Sequence, residues 1–182
     1  MRKFLFPCVV ALAALAGTCS ATQVPRLSFE EVVRQADQIV TGKVVRSWAA
    51  WGPSHEFLWT HYEVQVDSVA KGRAGRSVTV SEPGGVLDGK GMDVAGAVHY
   101  AIGEQVVLFL QPTPIGYRRT VGWQQGKYTV TSDGQVHAAA GDARIVDMKS
   151  SAARGNARVD GGTLTEFQSR IGALVRKDAV TR

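Results

Sequence analysis

Three of the four tryptophans in this 182-residue chain fall between positions 48 and 59. Trp48, Trp51 and Trp59, with Phe57 beside them, surround Pro53 and His55 in a stretch that reads as a loop over about 47–58. Tryptophan offers a large rigid contact area with little rotamer freedom to lose, and it is enriched at binding hot spots. These four residues are the candidate binding residues, for a protein or a glycan. The competing reading is that the same rings pack over one end of the fold. Trp123 stands apart and reads as core.

Other constellations fall short of a known chemistry. His55 and His61 flank Glu56, yet a zinc-protease helix places its histidines four apart to face one side, and here the interval is six. The run from Gly84 to Gly91 meets the Gly-x4-Gly-Lys spacing of a phosphate loop. Gly91 replaces the residue that would hold magnesium, and no helix pattern follows to face a phosphate. That run reads as a flexible loop. Glu63 and Asp67 share a strand face, where they keep the surface wet. The histidines at 55, 61, 99 and 137 are expected at the surface. There is no Gly-x-Ser-x-Gly elbow. No catalytic residue, metal set or cofactor is implied, and the expected class is non-enzymatic.

The elements that must position the tryptophans begin with residues 1–21. Arg2 and Lys3 precede an apolar run from Phe4 to Gly17, and Cys19, Ser20 and Ala21 close it. Basic, apolar, small is the order of a secretory signal peptide. The run is shorter than the roughly 20 residues of a membrane span. Cleavage after Ala21 is expected, with a second candidate site at Ala14-Leu15-Ala16. Cys8 and Cys19 are the only cysteines, so the exported chain would carry none and would rely on its core alone. Lipidation at Cys19 is disfavoured because Thr18 precedes it. The expected location is periplasmic or secreted, without stable membrane insertion.

Lys and Arg number 21 against 16 Asp and Glu, a formal +5. The positive residues are scattered rather than striped, which argues against nucleic acid as a partner.

Ser28 and Glu31 have capping-box spacing, and Phe29, Val32, Val33 and Ala36 make one apolar stripe, so a helix is expected over 28–36. Strands are expected at Ile39–Val45, from Trp59 to Lys71, and at Ser77–Ser81, Tyr117–Trp123, Lys127–Thr131 and Val136–Ala138. From Trp59 the alternation places Tyr62, Val64 and Val66 inward and His61, Glu63 and Gln65 outward. Val106 to Leu110 is a continuous apolar run suited to a central strand. Asp133-Gly134 signals a hairpin turn. Thr163 and Glu166 form a second capping box before Leu164, Phe167, Ile171 and Leu174. The expected organisation is a signal peptide at 1–21, a small OB-like barrel of five to six strands at 22–140, a loose connector at 141–162, and a C-terminal amphipathic helix and tail at 163–182.

Four segments of this pattern resemble a known family. Ala36 to Val44, Tyr62 to Gly72, Val78-Thr79-Val80 and Gly103 to Leu110 are similar, in this order, to the netrin-like module. That is the OB-fold shared with tissue inhibitors of metalloproteinases, and the segments look closer still to secreted bacterial proteins of that general kind. The resemblance implies a contact loop between the first two strands, at about 47–58. In those inhibitors a mature N-terminal cysteine chelates the target's zinc, and this chain has no matching cysteine. The expected function is an exported binding module for a protein or glycan in the envelope or outside the cell. The alternatives are an inhibitor or accessory of an exported peptidase, and an envelope structural protein without a ligand.

Overall fold

Ser28 and Glu31 open the first helix as expected. The Ser28 hydroxyl accepts from the Glu31 N–H at 3.2 Å, and the Glu31 carboxylate accepts from the Ser28 N–H at 2.9 Å. Two otherwise free donors are thus satisfied within one turn. In the computed structural model, residues 23–141, 144–146 and 162–180 are described. The expected signal peptide and most of the expected connector lie outside them.

The strands and helices follow in order: β1 (Gln23–Pro25), α1 (Phe29–Gln35), β2 (Gln38–Trp51), β3 (Leu58–Lys71), β4 (Ser77–Pro83), β5 (Gly85–Leu87), β6 (Lys90–Met92), β7 (Gln105–Pro112), β8 (Arg118–Thr120), β9 (Lys127–Val130), β10 (Val136–Ala138), β11 (Arg144–Val146) and α2 (Leu164–Val180). A 3-10 turn at Trp123–Gly126 links β8 to β9. The protein is mainly β, with two α-helices among the described residues.

One antiparallel sheet runs β10-β9-β7-β2-β3-β4, with β8 also paired to β7. Its backbone ladder is open, not closed into the expected barrel. At one edge, β4 pairs with β3 alone among the described residues. The expected strand over Tyr117–Trp123 is shorter, because Gly122 and Trp123 take positive φ and turn the chain. Within the expected connector, β11 runs parallel to β1.

The continuous apolar run forms central β7, and its alternation feeds two cores. Val107 and Phe109 join Phe29, Val32, Val33, Tyr128, Phe167 and Ile171 under the helices. Val106, Leu108 and Leu110 join Val40, Val44, Tyr62, Val64, Val78, Val80 and Tyr100 in the other. Each fully buried side chain of this size stabilises the fold by about 1.5–3 kcal/mol. The rings of Phe29, Phe109, Tyr128 and Phe167 interlock with centroids between 4.7 and 6.4 Å apart. The second capping box holds α2 in place, with the Glu166 N–H donating to Thr163 Oγ1 at 3.3 Å. From α2, Gln168 Nε2 donates to Thr41 Oγ1 and to Ser68 Oγ, each at 3.1 Å.

Candidate functional site

The 47–58 stretch is not a loop. Strand β2 continues through Trp51, β3 begins at Leu58, and only residues 52–57 turn. Three of the four candidate residues therefore sit on or at the ends of paired strands, and the ladder decides where they face. Trp48 lies opposite His61, Ala50 opposite Trp59, and Trp51 opposite Leu58. Residues opposite one another share a face, and alternate residues along a strand do too. Trp48 and Trp59 are therefore on one face and Trp51 on the other. Phe57 is in the turn, 52% exposed.

The face that carries Trp48 and Trp59 is built from interlocking rings. Trp48 stacks on the His61 imidazole, with centroids 5.3 Å apart and planes 27° apart. The Arg46 guanidinium lies 4.7 Å from the Trp48 ring centroid. Tyr117, from the turn between β7 and β8, meets His61 edge-on at 5.1 Å and Trp59 edge-on at 5.3 Å. Both tryptophans are half-buried, with one part packed and one part open to solvent. On the opposite face the β5–β6 hairpin lies close. Gly85 approaches so nearly that a Cβ there would sit 2.5 Å from Thr60 Oγ1. The Gly84–Gly91 run is thus a short hairpin against the sheet, not a phosphate cradle.

His61 departs from the expected exposed position. It is 6% exposed, and its Nδ1 lies 2.8 Å from Ser81 Oγ. Burial lowers its pKa, which favours the neutral ring. A serine paired with a histidine is the arrangement of an activated nucleophile. Here Ser81 is 2% exposed, and no carboxylate among the described residues orients the other ring nitrogen. The pair fixes the ring under Trp48. Among the described residues no three His, Cys, Asp or Glu side chains converge as metal ligands.

Beside this face runs a cleft of about 420 Å³, lined by Ser77, Val78, Thr79 and Ser81 of β4, by Gly116 and Tyr117 of the β7–β8 turn, by Arg118 of β8, by Arg73–Gly75, and by His61 and Gln38. Near it β8 reaches β4. There the Glu82 carboxylate accepts from Thr120 N–H at 2.9 Å, from Thr120 Oγ1 at 2.7 Å and from Arg119 Nη2 at 3.2 Å. One side chain stands in for a backbone ladder between the strands. Glu82 is 1% exposed, and burial pushes its carboxyl above the ordinary glutamate range against the pull of Arg119. Tyr100 extends the network through a hydrogen bond with Thr120 Oγ1. Arg118 pairs with Asp37 at the other side. Sequence reasoning missed Glu82, His61, Ser81 and Tyr117 as members of one site. No family model, curated protein or solved structure matches the chain.

Proposed function

We propose that this protein is an exported, non-enzymatic binding module that grips a protein or glycan with the Trp48–Trp59 face of the β2–β3 hairpin. One observation carries the reading. Two half-buried tryptophans are held rigid on a single face by His61 and Tyr117, with a polar cleft alongside. Rings already fixed by packing lose little freedom when a ligand covers them. The layout of residues 1–21 supports export, and no described helix is long and apolar enough to cross a membrane. The likeness to the netrin-like module belongs to the same proposal. Its four segments fall mainly on β2, β3, β4 and β7, which are neighbours in the sheet order β7-β2-β3-β4.

The test compares the protein with Trp48→Ala, Trp59→Ala and Trp51→Ala for binding to solubilised envelope proteins and to an array of envelope glycans. The first two should melt like the wild type and bind about 10-fold more weakly or worse, as hot-spot truncations do. Trp51→Ala should leave binding intact. Unchanged binding in both Trp48→Ala and Trp59→Ala, or unfolding of both, refutes the proposal.

A further inference from the structure

The free edge of β4 lies along the cleft, and the ladder shows which of its backbone groups are unused. Val66 N–H donates to Arg76 C=O and Gly84 N–H to Leu58 C=O, at the two ends of the β3–β4 pairing. Between them the pairs are Val64↔Val78, Tyr62↔Val80 and Thr60↔Glu82. Antiparallel strands alternate hydrogen-bonded and non-bonded pairs. Arg76, Val78, Val80, Glu82 and Gly84 therefore spend their backbone groups on β3. Ser77, Thr79 and Ser81 turn theirs the other way, and these three all line the cleft. Val78 lines it too, although its side chain leaves the opposite face from those of Ser77 and Thr79. Consecutive residues line one cleft when it runs along the strand's edge. Among the described residues no hydrogen bond reaches these outward backbone groups.

Edge strands are normally protected by lysine, proline or a bulge. Ser77 to Ser81 carries none of these, and Pro83 stops the edge only at the next outward position. Beyond Ser81 the Glu82–Thr120 bonds tie β4 to β8, and Arg73 lines the cleft on the Ser77 side, with no carboxylate partner among the described residues. The β7–β8 turn contributes Gly116 and Tyr117 to the side of the cleft facing β4.

We propose that the cleft takes an extended peptide, which adds antiparallel to β4 and places a C-terminal carboxylate at Arg73. An antiparallel strand runs from the Glu82 end toward Ser77, so its C-terminus arrives on the side of Arg73. Ser77 and Thr79 are exposed and offer two outward N–H and two C=O groups for main-chain affinity, while Ser81, 2% exposed, closes this stretch of edge, and alternate peptide side chains lie toward Tyr117 on one face. The proposal rests on the binding-module reading in naming the kind of partner that such a module holds. A second copy of this chain is the disfavoured occupant, because the β7–β8 turn stands where its sheet would have to lie.

The test uses the full-length protein and two fluorescein-labelled heptapeptide libraries, one with a free C-terminal carboxylate and one amidated, read by anisotropy. The carboxylate peptides should bind, and amidation should weaken them by about 10-fold, the loss of one charged hydrogen bond. Arg73→Gln should erase that difference. Thr79→Pro removes an outward N–H while leaving the bonds to β3 intact, and should weaken both libraries; Thr79→Ala should not. If Thr79→Pro fails to fold, peptides N-methylated at alternate residues give the same test on wild-type protein, and one of the two methylation registers should lose binding. The proposal falls if no peptide binds, if Thr79→Pro folds and binds normally, if both registers bind, or if the edge instead pairs two copies in solution. If peptides fail while Trp48→Ala still loses its envelope ligand, only this inference falls and the binding-module reading stands.

Discussion

Gly42 lies in the middle of β2, hydrogen-bonded to β3 on one side and β7 on the other. A Cβ at this position would sit 2.2 Å from the Gln65 carbonyl oxygen and 2.9 Å from Val64 Cγ1. Ordinary contact begins near 3.4 Å. Gly42→Ala therefore asks β2 and β3 to separate by about 1.2 Å, and β7 blocks the retreat. The move weakens two neighbouring ladder bonds, at about 1 kcal/mol each. It also disturbs Val64, fully buried in the second core, at about 1–3 kcal/mol. The expected loss is about 3–5 kcal/mol, or about 6–20 °C in Tm for a chain of this length. Urea unfolding with an unchanged slope, checked by calorimetry, measures it. Gly103→Ala is the control. Its φ is 90° with nothing within 4 Å of the added Cβ, so it carries only left-handed strain, about 1–2 kcal/mol. If Gly42→Ala costs no more than Gly103→Ala, close strand approach is not what this glycine serves, and the reasoning is refuted.

Two further predictions concern the buried titratable groups. Because burial raises the Glu82 carboxyl, the folded chain holds its proton more tightly than the unfolded one, and this group's stabilisation is present at low pH and lost as pH rises through the folded value. Urea titrations over about pH 4 to 7 should show the wild type losing ground to Glu82→Gln as pH rises, and a pH-independent difference would refute this. Glu82→Ala, which strands the Thr120 N–H and Arg119, should cost about 3–5 kcal/mol. For His61 the sign is opposite: its pKa is lowered by burial, so its stabilisation is present above the ordinary value of 6.5 and lost as pH falls through the folded value. An NMR titration of the His61 ring should give a midpoint below 6.5, and one at or above it would overturn the buried placement.

Local rules were readable in the sequence wherever one segment supplies both partners. Ser28 with Glu31, and Thr163 with Glu166, sit within one helical turn, so spacing alone predicts both caps. Val106–Leu110 carries its own evidence of double burial. The site was less legible because its members come from distant segments. The Ser-Trp-Ala-Ala-Trp run at 47–51 lacks a polar alternation, so nothing marks it as the far half of a long hairpin. His61 stands on the outward side of β3, as its alternation implies. It is buried because Trp48 crosses the ladder onto it and Tyr117 arrives from another hairpin. Glu82 looks like an ordinary surface carboxylate at the end of a strand. Only β8, brought alongside β4, gives it three donors.

The ring cluster under the helices has a consequence for synthesis. Phe29, Phe109 and Tyr128 belong to earlier segments, while Phe167 and Ile171, which complete the cluster, lie on α2. A growing chain that has not yet delivered α2 presents three aromatic rings to water. That side of the sheet stays sticky and unfinished until α2 has been made. Premature release, or a frameshift before residue 164, would yield a species prone to aggregate rather than a smaller working domain.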